Sequence, residues 1–231
     1  MKAVILAGGF GTRLKSVIAD IPKPMAPVNG RPFLEILVKR LVCRGITDIV
    51  LSVGYKQEVV SDYFGNGSSL GAIINYSSED TPLGTGGAIR KVMEQYDDDL
   101  YVVMNGDSFF DNDIPELLAC HHSKQASITL ALAEVADKSR YGSVDLSPDG
   151  AVCGFAEKGG SGFGLINAGT YVVGRRSKDF LPEGVCSFEN DILPGMIGKG
   201  LFGIHQKGAF IDIGIPEDYH SFCQLRPYLK D

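Results

Sequence analysis

Short apolar runs alternate with amphipathic helical segments through the first half of this chain. Ala3–Ala7, Ile49–Val53 and Tyr101–Met104 are rich in Val and Ile, as is typical of strands that are buried on both faces of a parallel sheet. The segment that begins near Pro32 places its apolar side chains on one helical face and its charged side chains on the other. This alternation predicts an open, doubly wound α/β fold with right-handed crossovers.

The pattern changes after residue 125, where apolar and polar side chains alternate within the strand-like runs. Ser143–Leu146 and Val152–Ala156 flank the turn residues Ser147–Gly150 and predict a hairpin, and Leu165–Val173 predicts another strand. Because no linker or internal repeat divides the chain, we expect one domain over residues 1–231. Further helices are expected at about 57–64, 87–95, 115–124, 189–197 and 216–225.

Composition excludes several classes of protein. With 29 glycines but 44 % apolar residues and no triplet period, the chain is neither collagen-like nor disordered. The net charge of −6 and the lack of a basic run argue against a nucleic-acid partner. The apolar runs are shorter than the roughly 20 residues that a membrane span needs, so no membrane partner is expected. Five scattered cysteines without a C-x-x-C spacing are typical of a reducing compartment and predict a cytoplasmic protein.

A glycine-rich turn follows the first strand, in Leu6-Ala7-Gly8-Gly9-Phe10-Gly11-Thr12-Arg13-Leu14. Backbone N–H groups of a turn at the carboxyl end of a strand can approach phosphate groups closely. The dinucleotide-binding and Walker patterns are both incomplete, so a plain strand-to-helix turn is the alternative. Arg13 beside the turn, and Lys23 held between Pro22 and Pro24, favour a phosphate site.

A second glycine cluster, Leu83-Gly84-Thr85-Gly86-Gly87, follows the strand-like run 72–77 and opens a helix. Three glycines in four positions exceed what a helix cap at Thr85 needs. They predict a planar base or sugar ring that lies against bare backbone, and a plain loop is the alternative.

Two aspartates end apolar runs, Asp107 after Asn105-Gly106 and Asp212 before Ile213-Gly214. A carboxylate at the carboxyl end of a strand points into the ligand crevice of an open sheet. Two such carboxylates can jointly hold Mg²⁺, which prefers oxygen ligands and phosphates. Taken alone, Asp107 also fits an Asx turn and Asp212 also fits a helix cap.

Three shorter features remain. Glu157 and Lys158 form an adjacent acid and base at a strand end. Gly169 interrupts a strand just after Asn167, and either a closely approaching group or a bulge would explain it. The neighbouring His121 and His122 point apart on a predicted helix, so we expect surface positions rather than a metal-chelating pair.

Taken in order, these motifs resemble those of the sugar-1-phosphate nucleotidyltransferase family over essentially the whole chain. The matching segments are Gly8-Gly9-x-Gly11-Thr12-Arg13-Leu14, Pro22-Lys23-Pro24, Leu83-Gly84-Thr85-x-Gly87, Gly106-Asp107, Glu157-Lys158, Asn167-Ala168-Gly169 and Asp212-x-Gly214-x-Pro216. The resemblance implies a Rossmann-like fold with a mixed, mostly parallel central sheet flanked by helices. It further implies a nucleotide-binding half over about 1–125 and a sugar-phosphate-binding half over about 126–231.

Within the family, segments 20–28, 30–35, 52–56 and 82–89 are most similar to the guanylyltransferases of D-glycero-α-D-manno-heptose 1-phosphate. The resemblance therefore implies an enzyme that makes GDP-heptose and pyrophosphate from GTP and the heptose 1-phosphate, for a bacterial surface polysaccharide. Mannose-1-phosphate guanylyltransferases and uridylyltransferases of N-acetylmuramate or glucose 1-phosphate are the alternatives. A non-catalytic sensor on this fold is disfavoured because the phosphate-binding and metal-binding residues are present. A monomer and a small homo-oligomer both stay open.

The resemblance also assigns residues to roles. Arg13, Lys23 and Asp107 are expected to act in catalysis, and Asp107 and Asp212 to bind Mg²⁺, with Mn²⁺ as a substitute. The expected nucleotide contacts are Leu6, Ala7, Gly8, Gly9, Gly11, Thr12, Arg13, Lys23, Glu79, Gly84, Thr85 and Gly106. The expected sugar-phosphate contacts are Gly87, Tyr141, Gly142, Glu157, Lys158, Asn167 and Gly169.

Two hypotheses concern specificity and motion. Guanine presents its N1–H and N2–H₂ donors side by side, and a carboxylate can accept both, which makes Glu79 the candidate for base recognition. The glycine-rich segment 159–164 directly follows Lys158, and its composition suits a mobile flap over the sugar.

Overall fold

The computed structural model describes residues 1–9, 21–157 and 159–224. Its strands, in chain order, are β1 (Lys2–Leu6), β2 (Pro27–Val28), β3 (Arg31–Pro32), β4 (Asp48–Val53), β5 (Ile73–Ser78), β6 (Leu100–Asn105), β7 (Ser108–Phe110), β8 (Ile128–Val135), β9 (Ser143–Leu146), β10 (Val152–Ala156), β11 (Gly164–Gly174), β12 (Leu201–His205) and β13 (Phe210–Asp212). Its α-helices are α1 (Phe33–Cys43), α2 (Gln57–Phe64), α3 (Gly84–Gln95), α4 (Ile114–Ser123) and α5 (Pro216–Gln224). Gly11, Thr12, Arg13 and Lys158, which the sequence assigns to ligand binding, lie outside the described residues.

Most predicted strands and helices are confirmed, but one helix is not. The prediction of a helix over 189–197 is wrong, because the chain forms a π-helical turn at Phe188–Ile192 and then a 3₁₀ turn at Pro194–Met196. Pro194 lacks the N–H that would continue a helical ladder, and Gly195 has a low helix propensity.

The chain falls into two compact units that are interleaved along the sequence rather than divided near residue 125. The parallel unit comprises Lys2–Pro82, Met104–Phe109 and Ile211–Asp231. The antiparallel unit comprises Met1, Leu83–Val103 and Phe110–Phe210. After β1 the chain passes from one unit to the other between Pro82 and Leu83 and again within β6, β7 and β13. The expectation of a single domain stays a prediction.

In the parallel unit, β1 pairs in parallel with β4, and β4 pairs in parallel with β5. Helix α1 buries an apolar face, and its Phe33 packs edge-on against Phe222 of α5, with ring centroids 5.2 Å apart. Because parallel strands end at the same edge of a sheet, the segments after Leu6, Val53 and Ser78 emerge together. This edge carries the predicted phosphate turn.

In the antiparallel unit, β11 pairs antiparallel with β8 and β9, and β12 lies parallel beside β8. The register of β11 against β8 shifts between Asn167 and Tyr171, where Gly169 has a φ of +71°. A left-handed backbone of this kind favours glycine, so a β-bulge accounts for Gly169. Within this bulge the Gly169 N–H donates to Asn167 Oδ1 at 3.0 Å.

The surface position expected for His121 is wrong. Helix α4 packs against β8, and the side chain of His121 is buried, with Nδ1 2.9 Å from the Thr129 hydroxyl. His122 is exposed, because adjacent residues of a helix point in different directions. Burial, and to a smaller extent the neighbouring His122, lowers the pKa of His121 to about 4.

Replacement of His121 by glutamine is expected to weaken the loss of stability in acid. Between its ordinary pKa of 6.5 and its folded pKa of about 4, the unfolded chain binds more protons at His121, so stability falls as the pH falls. This residue alone is expected to remove about 2 kcal/mol between pH 8 and pH 5. Urea unfolding of His121→Gln at both pH values measures the effect, with His122→Gln as the matched control. An unchanged pH dependence in His121→Gln would contradict the prediction.

Candidate active site

Two aspartates share one lysine in the parallel unit. Lys23 Nζ lies 2.6 Å from Asp107 Oδ2 and 3.5 Å from Asp212 Oδ1. The lysine side chain is 8 % exposed, whereas those of Asp107 and Asp212 are 40 % and 24 % exposed. Pro22 and Pro24 flank Lys23, which opens a 3₁₀ turn, so the backbone is restricted on both sides of it. A buried ammonium group thus lies against two carboxylates that remain open to solvent.

Backbone hydrogen bonds hold the two aspartates in place. The Ile213 N–H donates to the carbonyl oxygen of Asp107 at 3.0 Å, and the Gly214 N–H donates to Asp212 Oδ1 at 2.7 Å. A Cβ on Gly214 would lie 2.7 Å from Asp212 Oδ1 and 3.1 Å from Lys23 Nζ. Because glycine has no Cβ, position 214 leaves space for the Asp212 carboxylate and the Lys23 ammonium group.

The two carboxylates fit a divalent metal ion. In the part of the chain that the structure describes, no group of three or more His, Cys, Asp and Glu side chains could hold one. Mg²⁺ is commonly held by one or two carboxylates, while water and substrate phosphates supply its other ligands. Asp107 and Asp212, brought to a common point by Lys23, provide this donor set.

The glycine turn after β1 lies beside Glu79. A Cβ on Gly8 would lie 3.0 Å from Glu79 Oε1, and the same oxygen accepts a hydrogen bond from Ser52 Oγ at 3.0 Å. The backbone of Glu79 is held as well, since its N–H donates to the Val53 carbonyl at 2.8 Å. Ser52 was not predicted as a site residue. The one indication in the sequence was a hydroxyl side chain within an otherwise apolar strand.

The predicted nucleotide residues at the ends of β1 and β6 also meet. The Gly106 N–H donates to the Leu6 carbonyl at 2.9 Å, and a Cβ on Gly106 would lie 2.6 Å from that oxygen. The Ala7 N–H donates to the Ser52 carbonyl at 2.7 Å, and Gly9 beyond it is exposed. Of the described nucleotide candidates, the parallel unit contains Leu6, Ala7, Gly8, Gly9, Lys23, Glu79 and Gly106, together with the catalytic candidate Asp107, whereas Gly84 and Thr85 belong to the antiparallel unit.

The second glycine cluster lies in the antiparallel unit, where its glycines approach protein atoms. A Cβ on Gly84 would overlap the Cys186 carbonyl oxygen, and one on Gly86 would lie 2.6 Å from Cys186 Sγ. A Cβ on Gly87 would lie 2.5 Å from the Gly184 carbonyl oxygen. Segment 184–186 thus packs so closely against these three positions that only glycine fits there. Contact of these glycines with a base or sugar ring stays a prediction.

A chain of hydrogen bonds connects Thr85 to the bulge of β11. Thr85 Oγ1 donates to Glu189 Oε2 at 2.5 Å, and the Tyr171 hydroxyl donates to Glu189 Oε1 at 3.2 Å. Asn167 Nδ2 donates to the Tyr171 hydroxyl at 2.9 Å, and Asn167 Oδ1 accepts from the Gly169 N–H at 3.0 Å. Thr85, Asn167 and Gly169 are predicted site residues. Tyr171 and Glu189 were missed, because nothing in the local sequence pattern distinguishes them from a core tyrosine and a surface acid.

Three further sugar-phosphate candidates lie in the same unit. Tyr141 packs edge-on against Phe210, with ring centroids 5.5 Å apart. Gly142 leads into β9, and a Cβ there would lie 3.0 Å from the Ala156 carbonyl oxygen. Glu157 is exposed just after β10.

The glycine-rich segment 159–164 is bonded to a neighbouring turn. The Gly159 N–H donates to the Ser139 carbonyl at 3.0 Å, and the Lys138 N–H donates to the Gly162 carbonyl at 3.0 Å. Both bonds connect the segment to residues 138–139, and a mobile flap over the sugar stays a prediction.

Comparison with known proteins gives matches over nearly the whole chain. The nucleotidyl transferase family matches residues 2–224. The D-glycero-alpha-D-manno-heptose 1-phosphate guanylyltransferase of Aneurinibacillus thermoaerophilus is 42 % identical over 224 residues, which is 96 % of either chain. That of Campylobacter jejuni is 43 % identical over 223 residues, 96 % of this chain and 98 % of the relative.

Solved structures agree with these matches. The crystal structure of HddC from Yersinia pseudotuberculosis is 39 % identical and has a TM-score of 0.87, over 96 % of this chain and 98 % of that one. The same protein complexed with GMP-PN is 38 % identical and has a TM-score of 0.85 over the same shares, 96 % and 98 %.

The similarities confirm the expected Rossmann-like fold, with a mixed, mostly parallel central sheet flanked by helices. Enzymes of this kind generally use a divalent metal ion. Among the described residues, no helix is long and apolar enough to cross a membrane. With one family matching residues 2–224 and relatives aligned almost end to end, the chain belongs to the nucleotidyl transferase family of enzymes.

Proposed function

We propose that this enzyme transfers a guanylyl group from GTP to D-glycero-α-D-manno-heptose 1-phosphate and releases pyrophosphate. Identities of 42 % and 43 % to two proteins of that name, over nearly their whole length, carry the choice of substrates. The cluster of Lys23 with Asp107 and Asp212 supports the chemistry, because phosphoryl-type transfer depends on positioned charge.

The reaction needs no covalent enzyme intermediate. A phosphate oxygen of the sugar 1-phosphate attacks the α-phosphorus of GTP in line, the bond to the β-phosphate oxygen breaks, and pyrophosphate leaves. The attacking oxygen is already an anion, so the enzyme contributes mainly by positioning the reactants and neutralising charge.

Charged side chains of the parallel unit supply that neutralisation. Lys23 neutralises the charge that grows around the α-phosphate. Asp107 and Asp212 would hold the divalent ion, Mg²⁺ or Mn²⁺, which would offset the negative charge of the phosphate oxygens. Arg13, outside the described residues, holds the leaving phosphates in its planar fork.

The remaining contacts follow from the backbone and the bulge. The N–H groups of the turn from Gly8 to Thr12 cradle the triphosphate. Lys158, outside the described residues, binds the sugar phosphate. Hydroxyl groups of the sugar contact Glu157, Asn167 and the backbone at Gly169, where the bulge turns the strand.

Glu79→Gln is expected to reduce the preference for GTP over UTP. The Glu79 carboxylate lies beside the bare backbone of Gly8, and Ser52 holds it there. Glutamine replaces one acceptor oxygen with a donor, so one guanine N–H loses its partner. We expect kcat/KM for GTP to fall by about 10- to 100-fold, with little change for UTP. Steady-state assays with both nucleotides measure this, Asp80→Asn is the control, and an unchanged preference would contradict the assignment.

Pyrophosphate release tests the function as a whole. Four NTPs are assayed against the 1-phosphates of heptose, mannose, N-acetylmuramate and glucose. GTP with the heptose 1-phosphate is expected to give the highest kcat/KM. If GTP with mannose 1-phosphate is the best pair, the proposed sugar substrate is wrong. If a pair with UTP is best, the proposed base is wrong as well. Pyrophosphate release with none of the pairs would overturn the enzymatic proposal.

A further inference from the structure

Glu189 joins two predicted ligand-binding segments that are far apart in the sequence. It lies half-buried in the π-helical turn, and its Oε2 accepts from Thr85 Oγ1 at 2.5 Å and from Ser187 Oγ at 3.3 Å. Its Oε1 accepts from the buried Tyr171 hydroxyl at 3.2 Å. One carboxylate thus ties the start of α3 to strand β11.

A chain of hydrogen bonds runs from Glu189 through Tyr171 and Asn167 to the Gly169 N–H, and we call it the Tyr171 branch. The groups at its two ends set the direction of every bond in it. An ionised carboxylate only accepts, so the single Tyr171 proton is donated to Glu189. The Tyr171 oxygen then accepts from Asn167 Nδ2 at 2.9 Å. At the far end the Gly169 N–H only donates, so Asn167 Oδ1 faces it at 3.0 Å. The Asn167 amide therefore has one orientation in which all of these bonds are made.

We infer that Glu189 is a positioning residue that fixes the orientation of the Asn167 amide. The second N–H of Asn167 and the second lone pair of its Oδ1 then point in defined directions, ready for the hydroxyl groups of a sugar. This inference rests on the proposed function for the identity of that ligand, whereas the bond directions follow from the protein alone. Glu189 acts through Tyr171 and Asn167, since its own oxygens are engaged by protein hydroxyl groups.

Glu189→Gln tests the direction of the bonds while keeping the shape of the side chain. The glutamine Oε1 still accepts from Thr85, but its Nε2 donates to the Tyr171 oxygen. The Tyr171 proton then needs an acceptor on Asn167, and turning that amide sets Nδ2 against the Gly169 N–H. We expect KM for the sugar 1-phosphate to rise about tenfold, KM for GTP to change less than about twofold, and hydrogen exchange of the Gly169 amide to become about tenfold faster.

A second substitution is expected to repair the reversed network. Aspartate at position 167 accepts both from the Tyr171 hydroxyl and from the Gly169 N–H. In the Glu189→Gln/Asn167→Asp double variant every donor again faces an acceptor, while in Asn167→Asp alone two carboxylates compete for one Tyr171 proton. The double variant is therefore expected to be more stable than the sum of the single effects predicts, and to restore protection of the Gly169 amide.

The readouts separate this inference from the proposed function. Gly169 exchange and the double-mutant cycle need no substrate, and KM is measured with whichever substrate pair the wild type uses best. Glu183→Gln, whose side chain is 89 % exposed, is the matched control in the same unit. If Glu189→Gln only lowers Tm while KM and Gly169 exchange stay unchanged, Glu189 is merely structural and the inference is overturned. If Glu189→Gln fails to fold, Tyr171→Phe removes the hydroxyl that connects Glu189 to Asn167. Unchanged hydrogen exchange of the Gly169 amide in Tyr171→Phe would likewise overturn the inference.

Discussion

Replacing Asp107 with alanine is expected to abolish turnover at saturating Mg²⁺ while leaving the chain folded. The side chain is 40 % exposed, and its backbone carbonyl keeps the hydrogen bond from the Ile213 N–H, so the loop has no reason to collapse. What is lost is one of the two carboxylates at the proposed metal site. Because charge neutralisation at the phosphates carries most of the catalysis, we expect kcat to fall by at least about 1000-fold.

Asp107→Asn separates the charge of this residue from its shape. The amide keeps the size of the side chain but removes its negative charge, so we expect nearly the same loss of turnover and little change in Tm. Pyrophosphate release over a range of Mg²⁺ concentrations measures the effect, and Asp62→Asn on α2, which is exposed, serves as control. Wild-type turnover in either Asp107 variant would remove its role at the metal.

Lys23→Met is expected to lower kcat/KM by at least about 100-fold. The substitution keeps an unbranched chain in the buried position and removes the ammonium that lies 2.6 Å from Asp107 Oδ2. Lys23→Arg is not expected to rescue activity, because the guanidinium is larger and planar, and Asp107 and Asp212 already lie within 3.5 Å of Nζ. Activity of Lys23→Met within tenfold of the wild type would contradict the role of Lys23 at the α-phosphate.

A thermal shift with Mg²⁺ alone gives a second readout for Lys23. In the wild type a metal ion must compete with the ammonium for the oxygens of Asp107 and Asp212. In Lys23→Met the two carboxylates lose the ammonium that lies against both of them, so Mg²⁺ is expected to raise Tm more than it does in the wild type. Equal shifts in the two proteins would show that the lysine does not compete for the metal-binding oxygens.

The candidate site was predictable where a residue type and a backbone position together limit the chemistry. Lys23 between two prolines and Asp107 at a strand end were found this way, and the structure places their charged groups in contact. Glu79 is predicted from the paired donors of guanine, and its carboxylate lies next to Gly8, after a different strand. In each case the local pattern specifies the backbone, and parallel strands bring their carboxyl ends to one edge.

Local pattern does not determine which distant segment packs against a residue, and the wrong prediction for His121 is of this kind. The sequence pattern does not distinguish His121 from His122, yet only His121 is buried, because β8 packs on that face of α4. For the glycines at positions 84, 86 and 87 the approaching atoms that the structure shows belong to segment 184–186, about a hundred residues away, and contact with a base or sugar ring stays a prediction. The identity of a neighbour is a long-range property, and a motif carries no information about it.

The sequence by itself determined the class of fold, the edge where charged residues gather and the family to which the enzyme belongs. These follow from hydrophobic period, turn residues and motif order, which act over a few residues at a time. Only the tertiary structure decided that Lys23 lies against both aspartates, and that Glu189 reaches Asn167 through Tyr171. Hydrogen bonds and ion pairs require atoms within about 3 Å of each other, and such distances between distant segments are set by packing rather than by local pattern.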